Sequence, residues 1–512
     1  MSASDVDVLV AGAGPTGLFL ALLLVKMGMR VRVVDEAAEA GTTSRALAVQ
    51  ARTLELYRQV DLADEVVRRG RILGAVNLWR RGERVAHIEL GAIGRGESPF
   101  PFGVIFPQDE HERLLVERLE GVGVRVERRT ALASFEAAGD RVVARVRAPD
   151  GSTTTCTAKY LAGCDGARST TRSAIGAQFP GGTYEHLFYV ADIEARGPAV
   201  NGELHVLLDD SGFLGVFPLA GEGRARLVGT IRDDAAEGTP SWADVDRRPI
   251  ERIGIDVAKV HWFSTYRVHH RVADRFRRGP VFLLGDAAHI HSPVGGQGMN
   301  TGLGDAMNLA WKIAAVAGGR ANDDLLDTYE PERIKFARRL VATTDQAFQA
   351  ASSQGRLAEV MRTQVVPRIA ARVAGTRLGR RVFFRVLSQT AIEYRASAWS
   401  AGRAGSVHGG DRLPWVDPGR EGAPDNFAPL RSLDWQVHVY GTPASQLRAA
   451  CETLRLPLHT FAQGPATKEA GLVDGAAYLV RPDGYLGGVF EGSSEPTALA
   501  AYARQHQIRV RY

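Results

Sequence analysis

Cysteine is scarce in this sequence, and the spacing of its cysteines does not suit a dithiol redox site. The 512 residues include three cysteines, Cys156, Cys164 and Cys451, and no C-x-x-C pair. This set argues against a disulfide framework and a dithiol centre, and it fits a reducing cytoplasm. No group of histidines, cysteines and acids has metal-ligand spacing either, so the sequence predicts no metal site.

The sequence also lacks a strong excess of either charge. Lys+Arg total 63 and Asp+Glu total 58, for a net charge of +5. The densest basic stretches, 68–71, 275–278 and 377–385, lack the interleaved aromatic residues with which proteins bind single-stranded nucleic acid. We therefore interpret them as solvated faces and expect no nucleic-acid partner.

A long unbroken hydrophobic segment is missing as well. Residues 8–25 are almost entirely apolar, but three glycines and a proline between 12 and 17 interrupt them. Residues 1–7 carry two aspartates and no basic residue, which is not the start of a signal peptide. The run therefore predicts a buried strand, a turn and a buried helix in a cytoplasmic protein that has no membrane partner.

The glycines between 12 and 17 form the first motif that carries chemistry. An apolar strand at 6–10, an apolar helix at 18–27, a second strand at 31–34 and the acid Asp35 surround the sequence Gly12-Ala-Gly14-Pro15-Thr16-Gly17. This order is the Rossmann fingerprint of a dinucleotide site. Gly14 lets the backbone approach a pyrophosphate at the helix N-terminus, and Asp35 accepts a hydrogen bond from a ribose hydroxyl.

Two later motifs indicate which dinucleotide is bound. The first runs from Ala162 to Ser169 and contains Asp165 after a predicted strand. The second is the buried strand 281–284 followed by Gly285 and Asp286, and it continues through a glycine-rich stretch into a helix after residue 300. A carboxylate at a strand end suits a second sugar hydroxyl, and glycines that open a helix suit a closely approaching, electron-rich ligand edge.

In this order and spacing, the three motifs resemble those of the class A flavoprotein monooxygenases, the single-component FAD-dependent aromatic hydroxylases. The resemblance implies that the first glycine loop and Asp35 hold the ADP half of FAD. It implies that the other cofactor contacts are Arg45, Gln108, Asp165, Asp286, Pro293, Gly296, Gly298, Met299 and Asn300. Glu36 is a departure beside the ribose acid, because the family often has Arg or Lys there.

The resemblance also implies an α/β architecture with a Rossmann-like, discontinuous FAD-binding domain, an inserted β-sheet substrate domain and a thioredoxin-like C-terminal domain without C-x-x-C. The pattern from Leu325 to about Trp399 predicts helices. The expected domain ranges are 1–176 and 269–345 for FAD binding, 177–268 for the substrate sheet, 346–400 for a helical connection and 401–512 for the C-terminal domain. We expect a monomer or a homodimer.

By the same resemblance, the expected reaction is hydroxylation of a phenolic, polycyclic polyketide-like substrate through a flavin C4a-hydroperoxide, with O2 as co-substrate. Only one G-x-G-x-x-G occurs, which favours transient docking of NADPH or NADH. A Baeyer–Villiger or epoxidising reaction on the same scaffold stays open, as does a non-catalytic flavin-binding module. A flavin-dependent halogenase is disfavoured, because the sequence has no Trp-x-Trp.

The sequence does not reveal a catalytic acid or base. The polar candidates of the predicted substrate sheet are Tyr184, Tyr189, His205, Arg224, Arg226 and Tyr266. Each is more often a packing or surface residue than a catalyst, and His289 beside the Gly-Asp motif is more often structural.

Overall fold

The computed structural model describes nine stretches of the chain. They are residues 4–41, 46–90, 93–209, 212–231, 240–291, 296–352, 376–420, 422–492 and 495–511. Two predicted cofactor contacts, Arg45 and Pro293, lie outside the described residues, as does 353–375 of the predicted helical connection.

The described residues contain strands β1 to β25. Those up to residue 163 are β1 (Ser4–Ala11), β2 (Val31–Val34), β3 (Ala48–Val49), β4 (Arg71–Ile72), β5 (Ala75–Arg80), β6 (Glu83–Glu89), β7 (Val104–Ile105), β8 (Val126–Glu127), β9 (Ala131–Ala138), β10 (Arg141–Arg147) and β11 (Thr153–Gly163). The middle of the chain adds β12 (Gly181–Arg196), β13 (Leu204–Asp209), β14 (Gly212–Pro218), β15 (Arg224–Ile231), β16 (Asp256–Val272), β17 (Arg277–Arg278), β18 (Val281–Leu283) and β19 (His289–Ile290). The last part adds β20 (Ala401–Ala404), β21 (Val407–His408), β22 (Gln436–Tyr440), β23 (Leu458–Phe461), β24 (Ala477–Val480) and β25 (Leu486–Phe490).

The helices of the same residues are named α1 to α13. The first six are α1 (Pro15–Lys26), α2 (Ala51–Arg58), α3 (Ala63–Arg69), α4 (Gln108–Gly121), α5 (Thr170–Ala174) and α6 (Arg248–Arg252). The others are α7 (Gly298–Ala317), α8 (Asp324–Asp327), α9 (Tyr329–Ser352), α10 (Arg377–Leu387), α11 (Ser445–Leu454), α12 (Pro465–Glu469) and α13 (Glu495–Gln505). Short 3-10 helices occur at 242–244, 285–287 and 428–432.

The first sheet is the scaffold of the dinucleotide fingerprint. Its strand order is β17-β18-β11-β1-β2-β8, and β9 and β10 extend from β11. The pairs of β1 with β2 and β11, of β2 with β8, and of β11 with β18 are parallel. The β1–α1–β2 unit is therefore the predicted crossover, and the carboxyl ends of β1, β2, β11 and β18 meet at one edge of the sheet.

Helix α1 is buried along most of its length because it packs against both α4 and α7. Residues Leu18 to Leu24 of this helix are at most 2% exposed. A helix that is apolar all round is a core helix in a large protein. No helix in the described part of the chain is long and apolar enough to cross a membrane.

The second sheet has the order β19-β16-β12-β15-β14-β13-β5-β6. Its long central strands β12 and β16 pair antiparallel, in agreement with the strands expected around 184–193 and 257–268. It also recruits β5 and β6 from the range expected for the FAD domain, because β5 pairs parallel with β13. Pairing between strands more than 120 residues apart in sequence has no local signal. The domain ranges themselves stay a prediction.

The prediction of helix up to Trp399 is wrong for its last part. Helix α10 ends at Leu387, and residues 388–400 form turns and irregular backbone. Gln389 adopts a φ of +62°, which a continuing right-handed helix does not allow. Its side-chain amide donates to Gln297 Oε1 at 2.6 Å, so a tertiary hydrogen bond accompanies the helix end.

The C-terminal sheet has the order β21-β20-β25-β24-β22-β23. Strands β22 and β23 are parallel and flank α11, whereas β24 and β25 form the antiparallel hairpin expected around residues 477–486. This strand–helix–strand–helix–hairpin–helix order is the expected thioredoxin-like arrangement. Cys451 lies in α11, and burial raises the pKa of its thiol to about 11, so the thiol is held in its unreactive form.

The C-terminal sheet and the first sheet share one hydrophobic core. Trp311 of α7 packs edge-on against Trp435, with ring centroids 5.6 Å apart. Next to them Glu332 of α9 accepts hydrogen bonds from Arg481 at 3.0 Å and from Lys312 at 2.8 Å. Burial opposes ionisation of Glu332, but the two cations outweigh it and hold its pKa well below the usual range.

A second ion cluster joins α2 to the C-terminal sheet. Glu55 accepts hydrogen bonds from Arg412 at 2.6 and 2.9 Å and from Arg52 at 2.9 Å. Arg52 also donates to the backbone carbonyl of Asp483 at 2.6 Å. Glu55 and Arg52 are buried, and the Arg412 side chain is 8% exposed. Charge as well as apolar packing therefore fixes the contact between the first sheet's helices and the C-terminal sheet.

Candidate functional site

The three glycines of the first motif have different surroundings. A Cβ on Gly12, whose φ is +103°, would lie 2.2 Å from the carbonyl oxygen of Cys164. A Cβ on Gly17 would lie 2.0 Å from the carbonyl oxygen of Gly12. Gly14 has nothing within 4 Å of the corresponding position. Gly12 and Gly17 therefore serve close packing, whereas Gly14 leaves open space in front of α1.

The start of α1 presents this open space to a ligand. Gly14 is the N-cap residue and makes no side-chain capping hydrogen bond, and Pro15 occupies the first turn. An uncapped helix N-terminus offers N–H groups and the positive end of the helix dipole to an anion. An open cradle at Gly14 is what the pyrophosphate of a dinucleotide requires.

Thr16 lies where three elements converge. A Cβ on Gly285 would come within 2.8 Å of the Thr16 hydroxyl oxygen, and one on Gly302 within 2.3 Å. Two glycines thus allow α1, the turn at 285–287 and α7 to pack closely around one side chain. This packing brings the starts of α1 and α7 to the same side of the first sheet.

Asp35 is tied to the glycine loop. The Ala13 N–H donates to Asp35 Oδ2 at 2.5 Å, and the Ala37 N–H donates to Oδ1 at 2.7 Å. Each carboxylate oxygen still has a second acceptor site for a ribose hydroxyl. Glu36 is exposed. The cation nearest to Asp35 in the described residues is Arg128, whose Nη1 lies 3.8 Å from Oδ1.

Gln108 begins α4 and contacts Ala46. Its Oε1 accepts from the Ala46 N–H at 3.3 Å, and its Nε2 donates to Glu112 Oε1 at 2.9 Å. The Gly41 N–H donates to Glu112 Oε2, and burial raises the pKa of Glu112. Helix α4 therefore bonds to the backbone of both Gly41 and Ala46.

Asp165 occupies the predicted place but shapes its own loop. Its carboxylate accepts from the Ser169 hydroxyl at 2.5 Å and from the N–H and hydroxyl of Thr171 at 2.8 and 2.9 Å. These bonds cap the start of α5 and hold the loop under Gly12. Asp286 differs: it is exposed between the buried residues Gly285 and Ala287, so its carboxylate is accessible at the carboxyl end of β18.

The start of α7 is held from several directions. Gly296 has a φ of +61°, and a Cβ there would lie 2.7 Å from that of Ala48. Gly298 is the first residue of the helix, and Met299 is half-buried against the core. The Asn300 amide is fully used within the protein (Gln50 N–H, Thr53 hydroxyl, Ala48 and Gly296 carbonyls), at 2.7 to 2.9 Å. A flavin contact by Asn300 therefore has to come from its backbone.

A buried charged group that the sequence motifs did not indicate supports the Gly-Asp turn. Asp305 Oδ2 accepts from His289 Nε2 at 2.7 Å and from the Gly285 N–H at 3.0 Å, and Oδ1 accepts from Arg333 Nε at 2.6 Å. Burial opposes ionisation of Asp305, but Arg333 and His289 lower its pKa below the ordinary value. His289 thus has the structural contact expected of it.

The second sheet turns one face towards the start of α7. Phe217 and Leu204 pack on Leu47 and Ala48, and Ala48 is the residue that touches Gly296. The same face carries Arg226 opposite Phe217, Asp192 opposite Arg226, and Trp262 opposite Asp192 on successive strands. Because side chains alternate along a strand, Phe188 and Val190 belong to this face too. We call the residues of this sheet face the aromatic wall: Phe188, Val190, Asp192, Leu204, Phe217, Arg226 and Trp262.

One charged pair stands within the aromatic wall. Arg226 donates to Asp192 through Nε at 2.5 Å and Nη2 at 2.8 Å, and its guanidinium lies 5.3 Å from the Trp262 ring. The Arg226 side chain is 2% exposed and that of Asp192 is 17% exposed. The guanidinium therefore supports a carboxylate that stays partly accessible in front of the sheet.

The other polar candidates are placed differently. Tyr189 packs into the core on the opposite face with Phe263, and His205 bonds to Trp79 and Asn201. Burial lowers the pKa of His205 to about 4, which keeps its ring neutral. The remaining candidates, Tyr184 and Tyr266, pack around Phe188, and Arg224 contacts His261. No cluster of three or more potential metal ligands occurs in the described part of the chain.

The chain is similar to known proteins. A family described as FAD binding domain matches residues 5–344. The chain is 34% identical to 6-methylpretetramide 4-monooxygenase of Streptomyces rimosus, over 98% of this chain and 94% of that enzyme. It is 31% identical to pentachlorophenol 4-monooxygenase of Sphingobium chlorophenolicum, over 69% of this chain and 66% of that enzyme.

A solved structure extends the likeness to the whole fold. CabE, an aromatic hydroxylase from angucycline biosynthesis, is 28% identical and matches with a TM-score of 0.78 over 99% of this chain and 100% of that chain. The fingerprint at Gly12–Gly17, the Gly-Asp turn and these matches lead to one conclusion. The chain belongs to the FAD-dependent aromatic hydroxylases, the class A flavoprotein monooxygenases.

Proposed function

We propose that this monooxygenase hydroxylates a phenolic, polycyclic polyketide-like substrate, with O2 as co-substrate and NADPH as electron donor. The observation that carries the proposal is the aromatic wall facing the start of α7, since flat apolar side chains suit a fused-ring substrate. One relative that matches nearly the full length is named for a pretetramide, and CabE for angucycline biosynthesis, which supports the same substrate class.

The described residues fit FAD. The open cradle at Gly14 would receive the pyrophosphate, Asp35 would accept from the adenosine ribose, and the exposed Asp286 would face the ribityl chain. The N-terminus of α7 at Gly298 would place its positive dipole end at the pyrimidine edge of the flavin. Bound FAD supplies the redox and oxygen-transfer chemistry.

The protein's own part is to hold the substrate ring, exclude water and steady the phenol. Asp192 is suited to accept a hydrogen bond from a substrate hydroxyl, because Arg226 fixes its carboxylate through two hydrogen bonds. Such a bond would draw the phenol proton away from the ring and make the ring more electron-rich. The wall around the pair limits the access of water.

The electron donor is proposed to dock transiently. The chain has a single G-x-G-x-x-G, and Asp35, which bonds to its loop, is the acid proposed here for the ribose of FAD. NADPH rather than NADH follows from the family resemblance alone. A cytoplasmic location and a monomeric or homodimeric state also stay predictions, and size-exclusion chromatography with light scattering tests the oligomeric state.

The decisive experiment gives the purified yellow protein a panel of polycyclic phenols with NADPH under ¹⁸O2. We expect faster NADPH oxidation with the right phenol, and a product that carries one ¹⁸O atom on an intact aromatic ring. An NMR spectrum that shows an inserted ring oxygen or an epoxide would favour the alternative monooxygenations. NADPH oxidation to peroxide in full yield, without any oxygenated product from the panel, would refute the hydroxylase. Absence of NADPH oxidation would favour a non-catalytic flavin-binding module.

A further inference from the structure

Arg128 stands at the edge of the FAD site without an assigned role. It follows β8 directly, at the carboxyl end of a strand that pairs parallel with β2. The Asp35 N–H donates to the Glu127 carbonyl at 2.9 Å, and the Thr130 N–H donates to the Asp35 carbonyl at 2.8 Å. Backbone bonds on both sides therefore fix Arg128 beside the ribose-binding acid.

The guanidinium of Arg128 is only partly satisfied. Its Nη1 lies 3.8 Å from Asp35 Oδ1, too far for a hydrogen bond. Its Nη2 is buried and has no hydrogen-bond partner in the described residues. A buried, unpartnered N–H group costs free energy, so native proteins normally supply a partner from the protein, a water or a ligand.

Two acids, Asp35 and Glu112, lie near Arg128, and neither is a hydrogen-bond partner of Nη2. Asp35 accepts from Ala13 and Ala37, and Glu112 accepts from Gln108 and Gly41. Because Arg128 Nη1 lies 3.8 Å from Asp35 Oδ1, the guanidinium stands next to the carboxylate that is expected to accept from the adenosine ribose.

Glu36, the exposed residue after Asp35, supplies no cation at this end of the predicted cofactor site. It occupies the position where a basic residue next to the ribose acid would be expected, and it is turned to solvent. A cation for this end of the cofactor can instead come from the neighbouring strand. Arg128 is one strand away from Glu36, because β8 and β2 are adjacent.

We propose that Arg128 donates from Nη2 to the adenosine half of FAD, to a ribose oxygen or an adenine ring nitrogen, and makes the protein select FAD over FMN. The proposal rests on FAD being the resident cofactor and not on the identity of the substrate. FMN lacks the adenosine half, so it offers no acceptor at Arg128.

The test measures cofactor binding to the full-length apoprotein. FAD and FMN are each titrated by quenching of flavin fluorescence for wild type, Arg128→Met and Arg128→Lys. The matched control is Arg125→Met, which changes an exposed arginine just before β8. Removing one charge-assisted hydrogen bond should raise the Kd for FAD about ten- to hundredfold and leave the Kd for FMN unchanged. Arg128→Lys should lie between the two, and the control should bind both like wild type.

A rescue variant separates a cofactor contact from a merely structural role. Glu36→Arg in the Arg128→Met background should recover part of the affinity for FAD without changing that for FMN. An unchanged Kd for FAD in Arg128→Met overturns the proposal. So does an equal loss of affinity for both flavins, or a fall in the melting temperature of the apoprotein that accounts for the loss. No step uses a substrate, so failure of the proposed hydroxylation would leave this result standing.

Discussion

Substitutions at Gly12 and Gly14 should have different effects, one on folding stability and the other on cofactor binding. Gly12→Ala would place Cβ 2.2 Å from the Cys164 carbonyl oxygen at a φ of +103°, so the backbone would have to move. Gly14→Val keeps an extended backbone, φ −76° and ψ 178°, with no atom within 4 Å of its Cβ. We therefore expect Gly12→Ala to be a stability variant and Gly14→Val a binding variant.

The magnitudes follow from these environments. The backbone strain and overpacking at Gly12 should lower the free energy of unfolding by about 2–5 kcal/mol. Gly14→Val should change it by no more than about 0.5 kcal/mol, because the space is open. It should nevertheless raise the Kd for FAD at least about a hundredfold, since a branched side chain keeps the pyrophosphate from the α1 N–H groups.

Urea unfolding of the apoproteins and titration with FAD measure the two quantities. Gly464→Val is the matched control, because Gly464 also has an extended backbone and open space but lies in the C-terminal sheet region. It should bind FAD like wild type. Normal FAD affinity in Gly14→Val would refute the placement of the pyrophosphate. Unfolding of Gly14→Val at the same low urea concentration as Gly12→Ala would refute the distinction between the two glycines.

Three further outcomes are expected. Gly298→Val should lower FAD content and turnover at nearly normal stability, because it puts a side chain at the start of α7; normal content and turnover would contradict that placement. Arg481→Met should lower the free energy of urea unfolding by about 3–5 kcal/mol, because it removes a buried cation from Glu332. The exposed control Arg395→Met should lower it by less than about 1 kcal/mol. Equal losses would count against a buried ionic interface. Burial raises the pKa of Glu495 from 4.5 to about 7, so its stabilising contribution is full below pH 4.5 and lost as the pH rises through 7. Glu495→Gln should therefore exceed wild type by about 1–2 kcal/mol at pH 8 and converge with it at pH 4.5; a gain of equal size at both pH values would contradict this.

The sequence predicts the places in the fold of those candidate site residues that are close together along the chain. Gly12, Gly14, Gly17 and Asp35 belong to one β–α–β unit, so local spacing defines their geometry. Asp286 was predicted for the same reason, since it directly follows a buried strand. The strand candidates of the second sheet were recognisable too, because strands with one buried face alternate in polarity.

The parts that depend on tertiary pairing could not be predicted in this way. Arg128 reaches Asp35 from a strand more than 90 residues later, and Arg333 reaches Asp305 from another helix. Spacing also does not reveal the hydrogen-bond partners of a side chain. Asp165 bonds within its own loop, and the Asn300 amide bonds to backbone groups and to Thr53. The cofactor contacts predicted at these residues are still untested.

The buried ion pairs between the helices of the first sheet and the C-terminal sheet limit how chimeras of this enzyme can be built. Glu55 and Glu332 belong to the cofactor-binding part, but Arg412 and Arg481, which neutralise them, come from the last quarter of the chain. A chimera that exchanges the C-terminal part with that of another hydroxylase must bring matching cations to both positions. An exchange that ignores them would leave unpaired carboxylates in the interior. The junction for recombination therefore has to be chosen by these charge pairs rather than by the boundary predicted near residue 400.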